Sequence, residues 1–269
     1  MTPPQADLPK LTIMKNIFFV ALFSALSLPT FSVCAEPYTT ATGKKIYQQL
    51  SSASRTDEDR ARDANRKPVQ TLEYFGLTDD MTVIEIFPGG GWYTKILAPV
   101  LKEKGTLYLA VGTSMLEPNL DKFGLRGQVE IIGRIEGFKK TELPGYIFKI
   151  DSVDLEVRNV DLIVTFRNLH NLTVTARKAV NDAAYEALKP GGIYGVIDHS
   201  KRHMEAFSAE TWRRVDPVMI IKEMLEAGFE FIDYSDMHAI AADSLIYDTT
   251  HESIKTNSDR FTLKFRKPD

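Results

Sequence analysis

The feature that most constrains this chain is a short apolar run that stops in glycines. Thr82-Val83-Ile84-Glu85-Ile86-Phe87 leads into Pro88-Gly89-Gly90-Gly91. The period then changes, with Ile96, Leu97 and Val100 sharing one face of a helical stretch over residues 92–102. A strand that ends in a glycine turn and feeds a helix lets backbone approach a ligand closely. It also aims the unpaired N–H groups of the helix start at that ligand.

The same alternation continues down the chain. Residues 106–111, 129–133, 160–166, 193–197 and 229–234 read as strands, and residues 175–188 and 218–227 as helices. Strands alternating with helices predict a doubly wound, mostly parallel sheet covered on both faces. Residues 260–266 alternate apolar and polar side chains and read as an exposed-edge strand closing the sheet. The polar stretch 239–259 is expected to be either a flap over a site or a long hairpin connection.

Upstream, residues 36–77 read as a helical extension preceding an α/β domain over 78–269. Ile46, Tyr47 and Leu50 recur at helical spacing, and Thr56 with Asp59 resembles a capping box. The following helix would carry Arg60, Arg62, Asp63 and Arg66, then meet Pro68. The arginines there make either a solvated face or a charged lid.

The N-terminus is of another kind. Lys15 precedes an apolar run over residues 17–28, followed by Val33-Cys34-Ala35. A positive start, a short apolar centre and small residues at a cut site predict a secretory signal peptide cleaved after Ala35. The run is short for a membrane span of ~20 residues. Residues before Met14 read as sequence upstream of the natural start. The protein is therefore expected in the periplasm or outside the cell, with no stable membrane span after cleavage. Cleavage would remove Cys34, the only cysteine, and with it any disulfide or thiolate metal site. A net charge of −3 with 26% charged residues gives no basic face that would make nucleic acid a partner. His199 and His203 are four apart without an evident third ligand, so no metal site is expected.

Four segments together resemble the class I S-adenosylmethionine-dependent methyltransferases. They are the strand and turn Val83 to Gly91, Val160-Asp161-Leu162-Ile163-Val164 with Asn168-Leu169-His170 after it, Leu188-Lys189-Pro190-Gly191-Gly192, and Leu225-Glu226-Ala227-Gly228-Phe229. The resemblance covers residues 68–265 and is nearest to exported methyltransferases carrying Phe-Pro-Gly-Gly-Gly-Trp-Tyr at the turn. It implies a seven-stranded Rossmann-like sheet and S-adenosylmethionine as cofactor. Glu85, Pro88, Gly89, Gly90, Gly91 and Tyr93 would hold it.

Three departures accompany the resemblance. Phe87 stands where such turns have their first glycine. The second strand runs into Gly112-Thr113-Ser114 without the acid that binds ribose hydroxyls in such proteins, and the third strand ends without their adenine-contacting acid, Glu136 lying a little beyond it.

For the chemistry, His170 is the expected general base, since imidazole titrates near neutral pH. Asn168 would orient substrate, and Arg167 would bind a carboxylate or phosphate. Asp198 and His199, ending the fifth strand, are the next catalytic candidates. Trp92 and Tyr93 either wall a pocket or pack in the core. The expected activity is methyl transfer to a small or envelope-associated acceptor. The competing expectation is a noncatalytic periplasmic ligand-binding protein that keeps the fold.

Overall fold

Strands set the frame, and their burial follows the period-two pleat. In the computed structural model, residues 36–254 and 257–269 are described. The signal peptide expected over residues 1–35 lies outside them. Seven strands form one sheet: β1 (Thr82–Ile86), β2 (Thr106–Ala110), β3 (Glu130–Ile132), β4 (Val160–Phe166), β5 (Leu188–His199), β6 (Glu230–Ser235) and β7 (Arg260–Arg266). Their spatial order is β3-β2-β1-β4-β5-β7-β6. All neighbours pair in parallel except β7, which is antiparallel to both β5 and β6.

Along β1 and β4 alternate residues go to opposite faces. Val83, Leu162 and Val164 pack with α1 (Ala41–Gln49), α4 (Pro68–Phe75) and α5 (Thr94–Leu101). Ile84, Ile86 and Ile163 pack with α6 (Val174–Ala187) and α7 (Pro217–Glu226). Residues 36–269 form one compact unit, so the helices ahead of β1 share the core with the sheet.

Between α1 and α4 lie two single turns of helix, α2 (Asp57–Arg60) and α3 (Asp63–Arg66), where one continuous helix was expected. The capping box is present in both directions. Asp59 N–H donates to Thr56 Oγ1 at 3.2 Å, and Thr56 N–H donates to Asp59 Oδ2 at 3.0 Å. Pro68 disfavours right-handed helix at the residue before it. Lys67 accordingly adopts φ +42, and the chain restarts as α4 with Pro68 in its first turn.

The exposed-edge expectation for residues 260–266 is wrong. Strand β7 is interior, and β6 forms the exposed edge on that side of the sheet. The polar side chains of β7 have protein partners: Arg260 donates to the Asn65 carbonyl (2.9 Å), Thr262 bonds His238 (2.8 Å) and Lys264 donates to the Tyr74 carbonyl (2.9 Å). The helices ahead of β1 thus cover a face that alternation alone reads as solvent. Among the described residues no helix is long and apolar enough to cross a membrane.

Candidate functional site

At the carboxyl end of β1 the backbone bends through the glycine turn. Phe87 holds φ +57 although it is not glycine, a conformation that costs an L-residue roughly 1–2 kcal/mol. Its N–H donates to the carbonyls of Ala110 (3.0 Å) and Val111 (3.2 Å), which fixes it against the end of β2. So the turn keeps the geometry of a glycine at the position where the glycine is missing.

The glycines themselves differ. Gly89 has φ +56, and a Cβ on Gly89 or Gly90 would meet nothing within 4 Å. Both open onto a cavity of about 200 Å³, together with Glu85, Pro88, Tyr93 and Asn168. Gly91 is outside that lining. A Cβ there would lie 2.6 Å from Leu116 Cδ1, so Gly91 serves packing.

Glu85 is 2% exposed, and its Oε2 accepts from Thr94 Oγ1 at 2.6 Å. Burial pushes its carboxyl up to about 8, against smaller opposing effects of the Thr94 hydrogen bond and the Arg66 charge. Tyr93 stacks on Phe166 with ring centroids 3.6 Å apart, and Trp92 Nε1 donates to the Asp59 carbonyl at 2.9 Å. Both rings are buried, and both wall the cavity.

Arg62 and Arg66 also line this cavity. The Arg66 guanidinium sits 4.4 Å from the Trp92 ring centroid. A second chamber of about 310 Å³ shares Arg62, Arg66 and Arg167 with the first. It adds His199, Ser258 and Arg260. Thr249, Thr250 and Ser258 bring the connection between β6 and β7 into the lining of this chamber.

The four catalytic candidates separate. Asn168 lines the first cavity and its Nδ2 donates to the carbonyls of Phe87 and Phe166, each at 3.1 Å, tying the turn after β1 to the loop after β4. His199 lines the second chamber, its Nδ1 lies 2.9 Å from Ser258 Oγ, and burial holds its pKa well below the usual imidazole range. His170 and Asp198 line neither chamber. His170 Nδ1 is 2.5 Å from Asp198 Oδ1, and the fully buried Asp198 also accepts from the N–H groups of His170 (3.1 Å) and His199 (2.7 Å). That carboxylate orients the loop after β4 against the end of β5. His203 bonds Asp216 at 2.8 Å, and no cluster of three or more metal-ligating side chains occurs among the described residues.

Arg260 and Ser258 were not anticipated. Their only sequence signal was position at the start of a closing strand, which says nothing of what faces them across the sheet.

No protein-family model matches the sequence, and a search of curated proteins finds no significant match. Solved structures do resemble the fold. A SAM-dependent methyltransferase from Aquifex aeolicus is 19% identical with a TM-score of 0.51, the match covering 83% of this chain and 97% of that one. The cyclase SpnF is 15% identical with a TM-score of 0.53, over 86% and 97% of the two chains. An S-adenosylmethionine-dependent methyltransferase from Mesorhizobium loti is 12% identical with a TM-score of 0.50, over 74% and 97%. With the strand order above, these define the Rossmann-like methyltransferase fold. At such identities the likeness is one of fold. A cyclase among the similar structures illustrates that this fold hosts more than one chemistry.

Proposed function

We propose that this chain is an exported S-adenosylmethionine-dependent methyltransferase acting on a small or envelope-associated acceptor. The observation that carries the reading is the glycine turn. Gly89 and Gly90 open onto a cavity beside a buried carboxyl, at the carboxyl end of β1, where ligands of doubly wound sheets collect. Glu85 would meet the ammonium of the cofactor, and Pro88, Gly89 and Gly90 would pass beneath its methionine part. Tyr93 and Trp92 would wall it. Bound there, the cofactor would supply an electrophilic methyl on a sulfonium.

Of the two histidines, His199 lines a chamber next to the glycine-turn cavity, so it is the better-placed proton acceptor for a methyl acceptor held there. His170, the base expected from sequence, has its Nδ1 committed to Asp198 and would act through that carboxylate by positioning.

The nucleoside end fits less closely. The Phe87 ring lies against Gly112, where an added Cβ would come within 2.7 Å of it. The first cavity takes no lining residue from the end of β2. Its volume is also below the ~300–1,000 Å³ of usual ligand pockets. This observation favours the second reading, a noncatalytic periplasmic ligand-binding protein on the same fold.

Calorimetry with S-adenosylmethionine and S-adenosylhomocysteine separates the two. Saturable binding is expected, and Gly89→Val should weaken it ~100-fold or more while the fold persists, because the branched side chain enters the space the ligand needs. Absence of binding to the native chain, or unchanged affinity in the folded variant, would overturn the cofactor reading. Export has its own test. Mass spectrometry of periplasmic protein should find a chain beginning at Glu36, and intact chain confined to the cytoplasm would exclude it.

A further inference from the structure

The second chamber is lined by four arginines and no carboxylate. Arg62 stands at the rim, Arg66 and Arg260 are 5% and 6% exposed, and Arg167 is partly buried. Among the described residues, the guanidinium groups of Arg62, Arg66 and Arg167 form no ion pair and no hydrogen bond, whereas Arg55, Arg177, Arg213 and Arg214 each hold a carboxylate. The nearby acids are otherwise engaged: Asp59 accepts from Lys95 (2.6 Å), Glu85 from Thr94, and Asp198 from His170 and two backbone N–H groups.

Arg66, the most buried of the three, packs on the Trp92 ring at 4.4 Å, but no anion neutralises it, and a buried cation without one costs stability. Burial and the neighbouring arginines press Arg66 down to about 8 and Arg167 down to about 10. Arg167 also holds φ +64, a left-handed backbone that non-glycine residues avoid. Local strain of this kind persists where surrounding structure enforces it, and it clusters at binding sites. Ser258 and His199 also line the chamber; they bond each other at 2.9 Å and keep one further polar hydrogen between them to donate, whereas the Thr250 hydroxyl already donates to Asp248 at 2.9 Å.

We propose that this arginine chamber is the subsite for a dianionic tetrahedral oxyanion, the phosphate-monoester group of a small soluble molecule. Guanidinium forks match such oxygens in geometry, and a bound dianion would favour their charged form. Several converging cations exceed what one carboxylate would neutralise. Because the chamber adjoins the glycine-turn cavity and shares three arginines with it, the phosphorylated molecule is the methyl acceptor. That last identification rests on the methyltransferase reading, and the anion site does not.

The test is thermal unfolding of the full chain titrated with inorganic phosphate, ionic strength being held constant with chloride. Phosphate at ten times its Kd is expected to raise Tm by about 3–6 °C. Sulfate should act similarly, and acetate much less. Arg167→Gln and Arg62→Gln should each weaken the phosphate response at least tenfold, and Arg134→Gln, an exposed residue of the two-stranded ribbon Arg134–Glu136 with Ser152–Asp154 and outside the chamber lining, should leave it intact. Arg62 lies at the rim, so its variant tests the site even if Arg167→Gln folds poorly. An equal shift with acetate, or a full phosphate response in both chamber variants, would overturn the site. Glycerol 3-phosphate should bind as phosphate does, whereas capture only by phosphatidic-acid vesicles would overturn the soluble source. S-adenosylhomocysteine titration of the same proteins keeps the two readings apart. A phosphate response without it retains the anion site alone, and its binding without a phosphate response retains the cofactor reading alone.

Discussion

Replacing Asp243 with alanine is expected to destabilise the protein by about 3–5 kcal/mol, the usual cost of stranding one member of a buried ion pair. Both side chains of the Arg214–Asp243 pair are fully buried. The Asp243 carboxylate accepts from Arg214 Nη2 at 3.1 and 2.9 Å, and from the N–H groups of Leu245 (2.9 Å) and Asp259 (2.7 Å). Arg214 in turn reaches the carbonyls of Tyr247 (2.8 Å) and Ser200 (3.1 Å). One carboxylate therefore closes the β6–β7 connection on itself and fastens it to the segment after β5. Alanine would leave the guanidinium buried and two N–H groups without acceptors. The urea midpoint should fall with little change in slope, and hydrogen exchange should rise first over residues 239–259. The exposed pair Glu230–Arg266, with each side chain 46% exposed, gives the contrast. Removing Glu230 should cost less than ~1 kcal/mol. A similar small loss for Asp243→Ala would mean that the connection is held by something other than this pair.

That connection also marks where the sequence stopped being informative. The strands β1 and β4 were legible because both of their faces meet apolar partners, so their composition alone declares them buried. The glycine turn was legible because strand, turn and helix are contiguous. Strand β7 was misread as an edge because its polar face is covered by backbone carbonyls of Asn65 and Tyr74 and by His238. A polar cover leaves no hydrophobic signature on the strand it covers.

The site divides in the same way. Glu85, Pro88, Gly89, Gly90 and Tyr93 lie within one short stretch and could be proposed from it. Gly91 belongs to that stretch too, yet Leu116 fills the space over it, which no local pattern announces. The arginine chamber joins Arg62, Arg167 and Arg260, residues far apart in the chain that meet only through the strand order. Between His170 and His199 the choice depended on the pleat. His199 falls on the face of β5 that Ile197 shares with the helices ahead of β1, whereas Asp198 points to the other face and takes His170 with it.

The last expectation concerns Glu85 and pH. Its folded pKa is raised to about 8 from the ordinary glutamate value of 4.5, with burial the main cause. A carboxyl shifted this way contributes most below its unfolded pKa and loses that contribution as pH rises through its folded pKa. The window is thus pH 4.5 to 8, and at ~1.4 kcal/mol per pH unit the loss has an upper limit of roughly 5 kcal/mol. Water entry and side-chain relaxation reduce it, so about 2–4 kcal/mol is expected. Glu85→Gln keeps an oxygen for the Thr94 hydroxyl and cannot ionise. At pH 5 the two proteins should differ by less than ~1 kcal/mol, and at pH 8 to 9 the glutamine variant should be the more stable. Other groups do not mimic this trend. His238, pressed down to about 4 by burial, loses stability as pH falls from 6.5. Arg66, lowered to about 8, acts above the window. Both persist in the variant, so the difference between the proteins isolates Glu85. A bound ammonium would reverse the preference by stabilising the carboxylate, so ligand affinity of the native chain should rise with pH toward 8. The variant should bind weakly at every pH. A stability difference that stays flat from pH 5 to 9 would show that Glu85 is ionised throughout, and the buried carboxyl would then need a cationic partner within the protein itself.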